Sequence, residues 1–189
     1  MKLFIFDLET TGTDSVKNGI HQISGKIIIN GEVKETFDFK VRPKEGAVYE
    51  EKALEVGNVT KEQLEAYPAM PQVYTQVIAM LNKYVSRYDK SDKFFLVGYN
   101  NAHFDNQFFR QWFIDNGDKY FGSYFWSNSL DCMVLATPFL ADRRHLMIDF
   151  KQSTVAQALG IVIETEKLHD ASYDIELSHA IYDKVCGKY

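Results

Sequence analysis

An apolar segment near the start of the sequence, interrupted by two acids, most strongly constrains the fold. Residues 2–8 (KLFIFDL) predict a β-strand, because Leu, Ile and Phe pack well in sheets. Alternate side chains of a strand share a face, so Asp7 and Glu9 are expected to lie side by side. Two neighbouring carboxylates are costly unless a cation neutralises them. A metal site and a solvated strand end both remain open on these two residues alone.

The order of the remaining segments predicts an α/β domain with a mixed sheet. Asn30-Gly31 separates two extended segments, residues 20–29 and 32–41, and favours a two-residue hairpin turn. Residues 94–98 form a continuous apolar run, which is typical of a buried parallel strand. Helices are predicted at a Thr60–Gln63 capping box, from Pro71 onward, and over residues 105–115, 153–159 and 171–185. The apolar face of the Pro71 helix is predicted to contain Val73, Val77, Leu81, Tyr84, Val85 and Tyr88.

Composition predicts one globular domain spanning residues 1–189, since the chain has 189 residues of which 46% are hydrophobic. No apolar run is long enough to span a membrane, and the N-terminus does not resemble a signal peptide. Two distant cysteines without zinc-ligand spacing favour a reducing cytoplasmic location. The net charge of −5 argues against broad coating of duplex nucleic acid but leaves room for a local site.

Two further acids follow predicted structural elements. Asp105 comes just after the buried strand, where α/β sheets build their sites, although for this residue taken alone a plain helix N-cap is favoured. The aromatic stripe that follows it, Phe108 to Phe113, is predicted to be core and not a base-stacking platform. Asp174 lies in the first turns of the last helix. His169 is expected in the preceding turn, either near a reactive water or as an ordinary surface histidine.

These residues together resemble the three motifs of the DnaQ-like, DEDDh class of 3′-to-5′ exonucleases. The matching segments are Asp7-x-Glu9 within DLETTG, Asn101-Ala102-x-Phe104-Asp105, and His169-x-Ala171-x-x-Asp174. The sister class has a tyrosine four residues before the last acid, where this chain has Asp170. The resemblance implies a ribonuclease H-like fold, a five-stranded mixed sheet flanked by helices.

The resemblance also implies a mechanism. Asp7, Glu9, Asp105 and Asp174 would hold two divalent cations, Mg²⁺ or Mn²⁺, which prefer carboxylate oxygen. His169 would act as the general base toward the attacking water. The implied substrate is the 3′ end of single-stranded nucleic acid, with DNA favoured, and the implied product is a nucleoside 5′-monophosphate. A polymerase or another replication or repair subunit is the implied protein partner.

Several supporting roles are expected. Thr10, Thr11 and Gly12 would contact the terminal nucleotide, because a glycine permits close approach. Asn101 and His103 would face the substrate, with a turn-stabilising role for Asn101 as the alternative. Asp131 either orients the site or caps the following helix, and the cap is favoured. The basic run of residues 143–145 either meets backbone phosphate or forms a solvated loop.

Competing functions follow from the same motifs. An RNA-trimming exonuclease of the same class is not separable from a DNA exonuclease by sequence, because recognition of the 2′-OH depends on geometry. A module that binds nucleic acid or a polymerase without cleavage is the non-enzymatic alternative. Loss of a motif residue would favour that alternative, but all four acids and the histidine are present.

Overall fold

The computed structural model describes residues 1–167 and 171–187, which form a five-stranded mixed sheet flanked by helices. The strands are β1 (Lys2–Thr10), β2 (Ile20–Ile29), β3 (Glu32–Lys40), β4 (Phe95–Gly98) and β5 (Leu130–Asp131). Their order across the sheet is β3-β2-β1-β4-β5. The first three strands are antiparallel, whereas β4 runs parallel to β1 and to β5. The predicted fold class is confirmed.

The helices cover both faces of this sheet. Their bounds are α1 (Glu51–Val56), α2 (Lys61–Glu65), α3 (Met70–Tyr84), α4 (Asp105–Asp115), α5 (Phe121–Tyr124), α6 (Cys132–Leu140), α7 (Gln152–Ala158) and α8 (Ala171–Cys186). Short 3₁₀ turns lie at Asn101–His103, Ala141–Leu146 and Thr165–Lys167. No helix in the described ranges has the length and apolar character needed to cross a bilayer.

Local sequence signals account for several boundaries. Asn30 and Gly31 both adopt positive φ, 51° and 80°, as a tight hairpin turn between β2 and β3 requires. The capping box of α2 is present, because the Thr60 side chain accepts from the Gln63 backbone and the Gln63 side chain accepts from Thr60 in return. Both sequence predictions are confirmed.

Alternation along β1 divides the core in two. Phe4 and Phe6 point to one face, where they pack with the aromatic stripe of α4 and with α3. Leu3 and Ile5 point to the opposite face, where they pack with α6, α7 and α8. The aromatic stripe is therefore core, as predicted, and the two faces of one strand join two separate apolar clusters.

Two predictions about the region after Pro71 are wrong. Helix α3 ends at Tyr84, so Val85 and Tyr88 do not belong to its apolar face. Val85 is buried in extended backbone, whereas Tyr88 is 89% exposed. The apolar spacing continued past the end of the helix, because the chain leaves α3 in extended backbone at Val85 and then connects to β4 through residues 86–94. Helices α1 and α5 were not predicted, since four to six residues give too little periodicity to detect.

Candidate active site

The carboxyl end of β1 carries the first two candidate residues. Asp7 and Glu9 follow Leu3 and Ile5 on the face of the sheet that packs against α8. Both acids are half-buried, whereas Leu3 and Ile5 are buried. One face of this strand is therefore apolar at its start and carboxylate-bearing at its end, which is the arrangement that the alternating pattern predicted.

Helix α4 brings a third carboxylate to the same place. Asp105 is its first residue and is only 6% exposed. The backbone N–H of Leu8 in β1 donates to Asp105 Oδ1 at 3.2 Å. The N-cap alternative is wrong, because the N-cap position belongs to Phe104 and the Asp105 carboxylate is turned toward β1.

Helix α8 supplies the fourth carboxylate. Asp174 lies in its first turn and is half-buried. The Gln152 side chain, from the start of α7, donates to the Asp174 carbonyl at 2.6 Å and to Ser178 Oγ at 3.0 Å. Sequence reasoning missed this glutamine, which anchors the beginning of α8 beside the sheet. An amide at the start of one helix carries no sequence signal for its contact with another.

Electrostatics show that these four acids are neighbours. Burial raises the pKa of Asp7 well above its usual range, and the negative charges of Asp105, Glu9 and Asp174 raise it further. Burial also raises the pKa of Asp105 to about 7; the backbone N–H groups of Asp105 and Leu8 oppose this shift, and the charge of Glu9 adds to it. The site therefore concentrates negative charge at the carboxyl end of β1.

The chemistry of the donors suits a hard divalent cation, which binds carboxylate oxygen and would neutralise this repulsion. As the side chains stand, no three His, Cys, Asp or Glu groups among residues 1–167 and 171–187 converge tightly enough to form a complete cation site. The four acids therefore fit a metal by ligand type and by proximity. Closing around an ion would require their side chains to draw together.

An apolar pocket opens beside the acids. It has a volume of about 320 Å³ and lies between the end of β1, helix α1 and the residue before Asp105. Leu8, Ala53, Val56 and Phe104 supply apolar lining, and Glu9 lies at its edge. A pocket of this kind can enclose a flat ring while the carboxylates face a charged group beside it.

The DLETTG turn borders this pocket, but its side chains are mostly committed to the fold. Thr10 Oγ1 donates to the Gly12 carbonyl at 2.7 Å. Thr11 is fully buried, where its hydroxyl donates to the Val48 carbonyl at 2.7 Å and accepts from the Gly19 N–H at 2.9 Å. Thr10 and Gly12 line the pocket, whereas Thr11 does not.

Gly12 is required by packing within the protein. A Cβ at this position would lie 2.3 Å from the side chains of both Asn18 and Glu50. This close approach lies between parts of the chain, and the predicted contact of Gly12 with a nucleotide stays a prediction. The packing brings Glu50, from the segment before α1, to the rim of the pocket.

Asn101 and His103 lie in the 3₁₀ turn that precedes Asp105, and they differ in exposure. His103 is exposed, whereas Asn101 is fully buried. Asn101 packs on Gly98, since a Cβ added to Gly98 would lie only 2.8 Å from the Asn101 Cβ. The side-chain amide of Asn101 donates to Asn106 Oδ1 at 3.2 Å. The predicted contacts of both residues with a substrate stay predictions.

Asp131 holds this same turn in place. Its carboxylate accepts from the Met133 N–H at 2.9 Å, which caps α6 as predicted. It also accepts from the Asn100 N–H at 3.0 Å and the Ala102 N–H at 3.4 Å. One buried side chain therefore joins the end of β5 to the turn before Asp105. The sequence showed a capping residue but not its second set of partners.

Two remaining predictions concern loops. His169, the predicted general base, lies outside the described residues, as does Asp170. The basic run Arg143-Arg144-His145 is exposed in the 3₁₀ turn after α6, and the Arg144 guanidinium lies 4.9 Å from the ring centre of Phe150. Phosphate contact by this run stays a prediction.

Comparison with known proteins identifies the family. The sequence model of the RNase T family, described as exonuclease, matches residues 4–182. The chain belongs to this exonuclease family. The match spans all three acidic segments and most of both apolar clusters of the fold, and it agrees with the DnaQ-like resemblance seen in the sequence.

Individual relatives agree with this membership. The chain is 25% identical over 170 residues to the PolC-type DNA polymerase III of Mycoplasmopsis pulmonis, covering 90% of this chain but 10% of that protein. Its fold is similar to E. coli exonuclease I bound to a dT13 oligonucleotide, with a TM-score of 0.77 and 18% identity over 99% of this chain and 41% of the other. A zinc-bound exonuclease I complex with single-stranded DNA gives a TM-score of 0.75, 19% identity and coverage of 97% and 40%. The chain thus spans less than half the length of these relatives.

Proposed function

We propose that this protein is a metal-dependent 3′-to-5′ exonuclease that hydrolyses the terminal phosphodiester of single-stranded nucleic acid. The observation that carries the proposal is the meeting of Asp7, Glu9, Asp105 and Asp174 from three different elements, each close enough to affect the pKa of Asp7. Like charges held together in this way destabilise the fold unless a cation neutralises them. The proposal treats residues 1–189 as one exonuclease domain.

The acids and the adjoining pocket would have different roles, the acids in binding cations and the pocket in binding the terminal nucleotide. Two divalent cations, Mg²⁺ or Mn²⁺, would neutralise the acids when bound and polarise the scissile phosphate. The pocket lined by Leu8, Val56 and Phe104 would receive the last base through apolar contact. Thr10 and Gly12 lie at its wall, beside the expected position of the terminal sugar.

The reaction would be an in-line displacement at the last phosphodiester. The oxygen of a water molecule forms a bond to phosphorus as the bond to the 3′ oxygen of the preceding nucleotide breaks. His169 would accept the proton of the water, since an imidazole with a pKa of about 6.5 is half neutral close to physiological pH. The released product would be a nucleoside 5′-monophosphate, and the shortened strand would keep a 3′ hydroxyl.

The test follows 5′-labelled single-stranded DNA on a gel in the presence of Mg²⁺ and of EDTA, with wild-type protein and two variants. Asp174→Asn removes one of the four charges, whereas Asp183→Asn removes an acid nine residues further along α8 and serves as the control. We expect a Mg²⁺-dependent ladder that shortens from the 3′ end, kept in Asp183→Asn and reduced at least about 1000-fold in Asp174→Asn. Full activity in Asp174→Asn would contradict the proposal.

The role of His169 has its own test. His169→Ala should lower kcat by about 100- to 1000-fold and remove the acidic limb of the kcat profile, because the general base is gone. His103→Ala, an exposed histidine in the turn before Asp105, is the comparison variant and should keep that limb. An unchanged pH profile in His169→Ala would exclude it as the base.

We propose that DNA is the preferred substrate over RNA. Exonuclease I, whose fold this chain shares, is bound to DNA oligonucleotides in the structures compared, and the related PolC-type protein is a DNA polymerase. A polymerase or another replication or repair subunit is the corresponding protein partner. Matched DNA and RNA oligonucleotides in the ladder assay decide the point, and faster shortening of RNA would reverse the order.

A module that binds nucleic acid without cleaving it is the second candidate. The observation in its favour is that no three potential ligands among the described residues are drawn together as a complete cation site. Binding of the DNA oligonucleotide without any ladder in either Mg²⁺ or Mn²⁺ would select this candidate over the exonuclease.

A further inference from the structure

A polar groove, separate from the apolar pocket, is also lined by the segment before Asp105. Its volume is about 390 Å³, and its lining includes Ala102, three residues before Asp105. The wall continues along α4 through Asn106, Gln107, Arg110 and further residues to Ile114. The groove is therefore lined by the segment that carries Asp105 and by the helix that follows it.

The positions along α4 form one continuous stripe. Residues 107, 110, 111 and 114 are three or four apart, so they share a face of the helix. From residue 105 to residue 114 the helix rises about 14 Å, which at about 3.4 Å for each stacked nucleotide corresponds to roughly four nucleotides. Trp126, Ser127 and Ser129 also line the groove.

The charge of the groove suits an anion. Arg110 is exposed, and its guanidinium lies 4.6 Å from the ring centre of Phe121, which fixes its position. Among the described residues, no carboxylate oxygen lies within ion-pair distance of Arg110. Asp115 also lies at this end of α4, but it is neutralised by Lys44 at 2.9 Å. An arginine held in place without an acidic partner is available to a phosphate.

The groove is coupled to the candidate site through one hydrogen bond. The Asn101 amide donates to Asn106 Oδ1, so the first polar residue of the groove wall is tied to the buried turn before Asp105. Asp131 holds the backbone of that turn at Asn100 and Ala102. The wall of the groove and the acidic site are therefore built from one continuous, hydrogen-bonded segment.

We propose that this groove binds the part of the single strand that precedes the 3′-terminal nucleotide, with Arg110 contacting a backbone phosphate. The inference rests on the proposed function and adds the path of the strand to it. Amides and hydroxyls along the wall offer hydrogen bonds to sugars and base edges, and Trp126 offers an aromatic surface to a base. Longer strands would then bind more tightly than strands too short to enter the groove.

The experiment compares Arg110→Gln with Arg87→Gln on a dinucleotide and on a 12-nucleotide DNA strand. Arg87 is the matched control, because its guanidinium also lies over aromatic rings, 5.1 Å from Tyr120 and 5.9 Å from Tyr124, but it does not line the groove. Arg110→Gln should raise KM for the 12-nucleotide strand about tenfold and leave kcat and the dinucleotide unchanged. The slope of log KM against the logarithm of salt concentration should also fall by about 0.7, which is the value for one lost phosphate contact on a single strand.

An unchanged KM for the long strand, or an equal rise for both lengths, would overturn the groove proposal. If the wild-type protein cleaves neither DNA, the proposed function fails and the groove is tested by binding alone. Fluorescence anisotropy of the 12-nucleotide strand should then show about tenfold weaker binding in Arg110→Gln than in Arg87→Gln. Equal affinities of the two variants would overturn the groove in that case.

Discussion

The two faces of β1 place opposite demands on the same strand. On one face Phe4 and Phe6 lie against the rings of α4, with Phe4 stacked on Phe109 at 5.7 Å between centroids. On the other face Leu3 and Ile5 are buried, whereas Asp7 and Glu9, further along the same face, carry carboxylates. The aromatic face contributes stability, whereas the acidic end reduces it until a counter-ion is present. A strand stabilised along most of its length can therefore tolerate a repulsive site at its end.

The largest effect on stability is expected on the aromatic face. Phe109 is fully buried and lies within 6 Å of the ring centres of Phe4, Phe6 and Phe125. Phe109→Ala should lower the free energy of unfolding by about 3–5 kcal/mol, because it leaves a cavity that these rings cannot fill. Urea unfolding measures this change. Phe139→Ala, at a position that is 55% exposed, is the control and should change stability by less than about 0.5 kcal/mol.

A loss below about 1 kcal/mol in Phe109→Ala would remove the contrast between the two faces. The variant should also keep its rate per folded molecule at low temperature, because Phe109, Phe4, Phe6 and Phe125 do not line the pocket beside the acids.

Removing a charge at the acidic end should instead increase the stability of the metal-free protein. In the folded protein burial and neighbouring charge raise the pKa of Asp105 to about 7, from 3.8 in the unfolded chain. The unfolded chain therefore ionises first as the pH rises, and the metal-free protein loses stability between about pH 4 and pH 7 and stays less stable above it. Asp105→Asn in EDTA at pH 8 should gain on the order of 2 kcal/mol.

Thermal unfolding in EDTA at pH 4 and pH 8 tests this prediction, with Asp183→Asn as the control. At pH 4 the folded Asp105 carboxyl is already protonated, so Asp105→Asn should change little there. A loss of stability at pH 8, or an equal gain at both pH values, would show that charge repulsion is not what the acidic end contributes.

A smaller effect is expected where the two regions are joined. Asp131→Ala removes the cap of α6 and leaves the Asn100 N–H without its acceptor, so it should cost about 1.5 kcal/mol. Asp131→Asn keeps an acceptor oxygen and should recover most of this loss. Chemical unfolding of both variants measures the difference. Equal losses in the two would mean that charge, and not the hydrogen bonds, is the contribution of Asp131.

Local patterns predicted much of this fold. The Asn30-Gly31 turn and the capping box at Thr60 are decided by nearest neighbours, and the alternation of β1 places Asp7 beside Glu9 without reference to the rest of the chain. Contacts between distant segments were not predictable in the same way. The bond from the Leu8 N–H to Asp105 joins residues 97 positions apart, and Gln152 reaches α8 across 22 positions.

Roles of small residues were also hidden from sequence. Gly12 was expected to lie against a nucleotide, and that contact stays a prediction; the packing of Asn18 and Glu50 against the same glycine was not foreseen. The Asp105 carboxylate was compatible with a helix cap until its orientation toward β1 was known. In both cases the residue type was informative, and the partner was fixed only by the tertiary structure.

The most direct test of the central claim is a titration of the protein with Mn²⁺, followed by electron paramagnetic resonance, at neutral pH. If Asp7, Glu9, Asp105 and Asp174 form a cation site, the wild-type protein should bind two Mn²⁺ ions, Asp174→Asn should bind fewer and more weakly, and Asp183→Asn should match the wild type. Absence of bound Mn²⁺ at millimolar concentration, or identical binding by Asp174→Asn and the wild type, would contradict the account.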